Sequence, residues 1–188
     1  LLKNVMRVAP THAAAQLLLS QVLVQAGDLT GAERTLREAR NAGAPDAAIL
    51  PALLQVMLVR GKNRELLEEF PDPAAKVSPV AADILKARAF AHRGLGRPAE
   101  ASAAMDRSLQ LRRDGQGLLA KARLTQIQGN VSAAKTLADQ ALQIDPKNFE
   151  AALFKINLLR ALNENAAALD LANKLLAANP ENLRARLV

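Results

Sequence analysis

Residues 118–146 read LLAKARLTQIQGNVSAAKTLADQALQIDP, and one folding unit is spelled out within them. Apolar side chains recur at helical spacing up to Gln128, and Gly129-Asn130 then interrupts the run with a residue free to take positive φ. The periodicity resumes at Ser132 and stops at Asp145-Pro146. The spacing predicts two helices, 118–128 and 132–144, folded as a hairpin, with Ser132 beside Asn130 as helix N-cap.

Working outward, the same punctuation returns on a fixed clock. Gly27, Gly61, Gly96 and Gly129 recur at intervals of 34, 35 and 33, and Asn163, which also tolerates a left-handed backbone, follows after a further 34. Proline keeps the same period: Pro10 and Pro146 stand four periods apart, Pro146 and Pro180 one, and Pro45 and Pro79 each fall just past an intervening tick. The chain therefore divides into five units, 13–46, 47–81, 82–114, 115–148 and 149–182, flanked by half-units 1–12 and 183–188. Two helices of about 20 Å each cannot bury their apolar stripes against one another alone, so neighbouring hairpins must stack into an all-α solenoid. The apolar ends Leu1-Leu2 and Leu187-Val188 suggest that repeats continue on either side.

Composition narrows the chemistry. Of 188 residues, half are hydrophobic and 2% aromatic, with no Cys, Trp or Tyr. Disulfides, thiolate zinc sites and thiol nucleophiles are excluded, and the compartment stays open. Residues 8–27 carry no charge, but Pro10, Thr11, His12, Gln16, Ser20, Gln21 and Gln25 interrupt them, so they are expected to form a buried helix and not a membrane span. Gly94-Leu95-Gly96-Arg97-Pro98-Ala99 fits a permissive dinucleotide fingerprint, but a helix and not a strand precedes it. Gly61-Lys62-Asn63 lacks the upstream glycine and the Ser/Thr of a phosphate loop. His12, in an inter-unit connector, and His92, within the third unit, stand 80 residues apart with no glutamate at metal-motif spacing, and His92 is expected to be a satisfied, half-buried imidazole. No serine sits in a nucleophile setting. The expectation is a noncatalytic chain without cofactor or metal.

The repeat resembles the tetratricopeptide repeat. With the turn glycine as position 15, the small residues of that pattern stand at position 20 in Ala32, Ala101, Ala134 and Ala168, with Leu66 the exception. Position 8 reads Ser20, Leu54, Ala89, Ala122 and Ile156, and position 27 reads Ala39, Ser108, Ala141 and Leu175, where small side chains let helices approach closely. The family's aromatics at positions 4 and 11 are replaced by Gln16, Leu50, Leu85, Leu118 and Ala152, and by Leu23, Met57, His92, Thr125 and Leu159. The resemblance implies a right-handed superhelix and a protein-interaction scaffold. Unit 2 is irregular: its second helix, 63–70, is short, and the connector 71–79 carries Pro71, Pro73 and Pro79, read either as a hinge or as a packed loop. The phrases Ile49-Leu50-Pro51-Ala52-Leu53-Leu54 and Gly61-Lys62-Asn63-Arg64-Glu65-Leu66-Leu67 are similar to bacterial TPR-repeat lipoproteins of PEP-CTERM protein sorting and exopolysaccharide production. That similarity implies a periplasmic or outer-membrane-associated protein, held to a membrane only by a lipid anchor outside this stretch; without it the expectation is a cytoplasmic scaffold.

The formal charge of +7 is unevenly placed. Residues 82–148 carry 11 basic and 6 acidic side chains, against 9 and 8 in residues 1–81. The family resemblance implies that positions 2, 5, 6, 9, 12 and 13 line a concave groove, which would present Lys86, Phe90, Arg93, Arg123, Phe154, Asn157 and Arg160, with Leu17, Gln21, Val24, Gln55 and Leu58 toward the N-terminus. Such a groove suits a protein or peptide partner of acidic character, because Arg and Lys offer charge-assisted donors and Phe an apolar anchor. Arg88, Lys121 and Lys155 recur at position 7 and are read as packing residues whose stems cover apolar surface. The alternative is binding of a phosphate backbone or anionic polysaccharide through the basic surface of repeats 3 and 4; four Phe and no Tyr or Trp argue against a nucleic-acid reader.

Overall fold

A computed structural model describes residues 12–73 and 80–178. The half-units expected at 1–12 and 183–188 lie outside these residues apart from His12, as do Pro10, Pro79, Pro180 and the connector 74–79. Ten helices run through the described residues, with no strand among them: α1 Ala13–Gln25, α2 Leu29–Asn41, α3 Asp46–Val59, α4 Asn63–Glu69, α5 Ala81–Gly94, α6 Pro98–Leu111, α7 Gly115–Ile127, α8 Val131–Ile144, α9 Phe149–Ala161 and α10 Asn165–Ala178. They fall into two compact units, one ending at Leu111 and one starting at Arg112.

Each tick of the repeat clock is a helix C-terminus. Gly27, Gly61, Gly96 and Gly129 have φ of 79°, 71°, 71° and 86°, and Asn163 joins them at 59°. After α7 the Gly129 amide bonds to the Gln126 carbonyl and the Asn130 amide to that of Thr125, which satisfies carbonyls the helix leaves open. A side chain with a Cβ is strained in that conformation, hence the glycine. The next helix begins at once, because the Asn130 carboxamide accepts from the Ala133 amide at 3.1 Å. Asn130, not the expected Ser132, is therefore the N-cap of α8. Helix α7 starts at Gly115, ahead of the expected 118, since Asp114 accepts from the Gly117 amide at 2.6 Å. His12 caps α1 through Nδ1, 3.3 Å from the Ala15 amide.

In the first unit, α3 is the central element. It touches α1, α2, α4 and α5, and Ile49, Leu50, Leu53, Leu54, Val56 and Met57 are all buried along one side of it, while Pro51, Gln55 and Val59 are exposed on the other. Around them pack Ala32, Leu36 and Ala39 of α2, Leu66 of α4 and Phe70. Helix α1 departs from the fully buried helix expected of residues 8–27. Ala15, Gln16 and Ser20 are buried, while Leu18, Val22 and Val24 are exposed, because among the described residues only α2 and α3 pack against it. In α5 and α6, the Ser108 hydroxyl at position 27 donates to the Ala82 carbonyl at 2.7 Å.

In the second unit, α9 lies against both α8 and α10. Ala152, Ile156 and Leu159 join Ala168 and Leu175 in one core, while Leu158 meets Ala134 and Ala138 in another. The small positions do what their spacing requires. Ala32, Ala101, Ala134 and Ala168 are buried at position 20, and so is Leu66, in the short α4. In place of the family's aromatics, Gln16, Leu50, Met57, Leu85, Leu118, Thr125, Ala152 and Leu159 are buried, while Leu23 and His92 are half-buried.

Candidate functional site

The side chains expected to line a groove are all accessible to solvent; Arg93, Asn157 and Arg160 are exposed, and Lys86, Phe90, Arg123 and Phe154 are half-buried. In the first unit, Phe90 and Arg93 lie one turn apart on α5, and the Arg93 guanidinium covers the Phe90 ring at 5.2 Å from its centroid. Lys86 lies one turn before Phe90 on the same helix. In the second unit the pairing crosses helices: the Arg123 guanidinium of α7 sits 5.7 Å from the centroid of Phe154 on α9. Its Nη2 also meets Glu150 Oε2 at 3.4 Å. Phe154 packs with Val131 against Ala134, Ala138 and Leu158, so one part of its surface is committed to the core and the rest supports the guanidinium. Asn157 and Arg160 lie along α9 from Phe154 at helical spacing, and neither side chain bonds to another described residue.

A cleft of about 300 Å³ opens between α1 and α3 in the first unit. Its lining includes Gln21, Val24 and Gln55, three of the five residues expected toward the N-terminal end, together with Gln25, Val56 and Val59. Leu17 and Leu58 instead pack against the hydrophobic core. No lining residue is charged.

The position-7 cations Arg88 and Lys155 are structural ties. Arg88 donates from Nη1 to the carbonyls of Leu67 and Phe70 at 3.0 and 2.7 Å, closing the C-terminus of the short α4. Lys155 pairs with Asp139 at 2.6 Å. His92 is half-buried as expected but not satisfied, because among the described residues its Nδ1 has no hydrogen-bond partner. Burial first, and then the Arg88 charge, hold its pKa below 6.5.

One charged cluster escaped the sequence reading. The Glu33 carboxylate of α2, 4% exposed, accepts from Arg37 Nε at 2.8 Å and Lys62 Nζ at 3.0 Å, and also from Arg60 Nη1. Arg37 reaches on to both carboxylate oxygens of Glu69 at 2.8 Å and to Glu65 at 3.2 Å. Arg40 pairs with Asp46 at 2.9 Å and covers the Phe70 ring at 5.4 Å. Burial alone pushes the Glu33 carboxyl up, but hydrogen bonds from Arg37, Lys62 and Arg60, with the Lys62 charge, together hold it below 4.5. Its bonding to Glu69 raises the Arg37 pKa. The only sequence signal was the Glu33–Arg37 spacing of one helical turn. Arg60, Lys62 and Glu69 converge only through the fold.

Among the described residues no helix is long and apolar enough to cross a membrane, and no group of three His, Asp or Glu side chains is placed to hold a metal ion.

The tetratricopeptide repeat family model matches residues 1–55 and 127–187, more than half of the chain, and the chain belongs to that family. Proteins of the family generally mediate protein–protein interaction and typically act as noncatalytic scaffolds. A search of curated proteins found no match. Among solved structures, the chain is similar to PilW, a type IV pilus biogenesis factor, with a TM-score of 0.77 at 16% identity over 99% of this chain and 86% of that one. PilF of Pseudomonas aeruginosa gives 0.68 at 20% identity, over 98% of this chain and 84% of that one. YrrB, described as a TPR protein with an unusual peptide-binding site, gives 0.59 at 14% identity over 98% and 95%. At these identities the likeness is one of fold.

Proposed function

We propose that the chain is a noncatalytic scaffold that captures a protein or peptide segment of acidic character on the exposed faces of the first helices of its hairpins. Lys86, Phe90 and Arg93 on α5 form a surface of the first unit, and Arg123, Phe154, Asn157 and Arg160 on α7 and α9 form a separate surface of the second. The observation that carries this reading is the Arg123 guanidinium, stacked on Phe154 and already facing the exposed carboxylate of Glu150. A guanidinium braced against a ring keeps a fixed orientation, so a carboxylate of the partner exchanges with Glu150 at little cost in side-chain entropy. Arg93 on Phe90 repeats the arrangement, and Arg160 adds charge without a competing acid among the described residues.

The test is calorimetric titration with a Glu-rich dodecapeptide at physiological salt. Exposed ion pairs contribute about 0.2–1 kcal/mol each, so the triple variant R93A/R123A/R160A is expected to bind about tenfold more weakly. Unchanged affinity discards the assignment. Tighter binding to single-stranded DNA or an acidic glycan, with a steep loss on adding salt, replaces it with recognition of anionic polymers.

The resemblance of two phrases to PEP-CTERM-associated lipoproteins extends the proposal to envelope protein sorting and exopolysaccharide production. In the fold, however, Ile49, Leu50, Leu53, Leu54 and Leu66 are buried core residues and Gly61 is a turn, so packing alone accounts for those letters.

A further inference from the structure

The cleft between α1 and α3 differs in chemistry from the basic surfaces. In a chain where 23% of residues are charged, its lining is entirely neutral, built of amide, hydroxyl and aliphatic side chains. Gln21, Gln25 and Gln55 make no side-chain hydrogen bond to any described residue, so each carboxamide keeps a donor and an acceptor free for a ligand. Val24 and Val59, 40% and 61% exposed, stand at the cleft with their methyl groups in water, and Val56 lies buried beside them.

These features select an occupant. A charged side chain entering the cleft would lose water and meet no counter-charge, which is unfavourable. A peptide main chain offers the acceptor and donor that a carboxamide needs, in either orientation. Gln21 and Gln55 both hold position 9 of their repeats, on neighbouring helices. Packed helices lie about 8–10 Å apart, which is about three residues of extended chain at about 3.3 Å each, so two carboxamides can engage peptide groups two to three residues apart along one extended segment. The volume, about 300 Å³, is at the small end of ligand sites and suits one bulky side chain with its flanking peptide groups.

We propose that the α1–α3 cleft is a docking subsite for an extended, uncharged peptide segment carrying one bulky aliphatic residue. Gln21 and Gln55 hold its main chain, and Val24, Val56 and Val59 take its side chain. The proposal rests on the reading of this chain as a peptide-binding scaffold, and it adds a partner chemistry that the acidic-segment surfaces do not supply.

The probe is a blocked heptapeptide of Ser, Thr and Gly with a central Leu, compared with peptides bearing Gly or Glu at the centre. Binding is read by NMR of the full 188-residue chain, following the glutamine side-chain amides. The Leu peptide is expected to shift the Gln21 and Gln55 amide signals and to bind at least fivefold more tightly than the Gly or Glu peptides. The Q21A/Q55A variant is expected to lose at least fivefold in affinity for it, and V59E to abolish binding, while both retain the helical circular dichroism of the parent. Equal affinity for Leu and Gly peptides, shifts elsewhere only, or indifference to Q21A/Q55A and V59E overturns the subsite. R93A/R123A/R160A is expected to leave the Leu peptide unaffected, and loss of its binding in that variant also overturns the subsite. The Glu-rich peptide tests the basic surfaces separately: if it binds through the arginines while the Leu peptide does not bind, only the subsite falls.

Discussion

Glu33→Gln removes one negative charge from the interior of the first unit and changes little else in size or shape. The Glu33 carboxylate is 4% exposed and accepts from Arg37, Arg60 and Lys62, which come from α2, the end of α3 and the α3–α4 turn. Glutamine keeps one acceptor oxygen and turns an NH₂ group toward cations that themselves only donate. Arg37 retains Glu69 and Glu65, and Lys62 retains Glu65, so the loss falls short of a fully orphaned buried charge. Hydrogen bonds to charged groups contribute about 1.5–3 kcal/mol, and breaking one partner out of a buried ion pair costs about 3–5 kcal/mol. Glu33→Gln is therefore expected to cost about 3 kcal/mol at neutral pH, read as the shift in urea unfolding followed by circular dichroism.

The pH dependence supplies the sharper check. The folded-state pKa of Glu33 lies below its ordinary 4.5, so the folded protein holds fewer protons than the unfolded chain in that window. Its stabilisation is present in full above the unfolded value and is lost as pH falls through the folded one. The difference between parent and Glu33→Gln should be about 3 kcal/mol at pH 7 and should shrink as pH falls below 4.5 and through the folded pKa, where the parent carboxyl takes up its proton. The exposed pair Lys174–Asp170, 70% and 63% accessible, serves as control, and Lys174→Ala is expected to cost under about 0.5 kcal/mol. A cost below about 0.5 kcal/mol for Glu33→Gln at pH 7, or a difference that does not change with pH, refutes the reasoning.

Two further outcomes are expected. Gly129→Ala places a Cβ on a backbone with φ of 86°, in otherwise open space, so it is expected to lose about 1–2 kcal/mol in thermal unfolding through strain alone; a stable variant would mean the turn can change its conformation freely. His92→Leu removes an imidazole whose Nδ1 lacks a partner among the described residues. Because the folded pKa of His92 lies below 6.5, its neutral form stabilises the fold above that value and the benefit is lost as pH falls through the folded pKa. The parent is expected to weaken between pH 7 and about pH 5 more than the Leu variant does, and parallel pH profiles from chemical denaturation would contradict this assignment.

The repeat period, the positive-φ turns and the small buried positions were legible because each is set locally. A left-handed turn residue and a helix stop are properties of two or three neighbours, and their recurrence at one fixed period multiplies the signal. Helix starts were read less well, since Asp114 and Asn130 take their caps from amides one turn on, and Ser132 offered an equally good letter. The residues expected to line a groove came from the family pattern, and all of them are at least partly exposed to solvent.

What the letters alone determined is the hairpin and its period. Only the tertiary structure decided which side chains meet across hairpins: Arg123 on Phe154, Arg88 on the end of α4, Arg60 and Lys62 on Glu33, and the neutral cleft flanked by Gln21 and Gln55. The physical reason is range. Backbone conformation answers to adjacent residues, whereas a charge or a ring answers to whatever lies within a few ångströms, and the partners here lie outside the residue's own helix, half a repeat or more away along the chain.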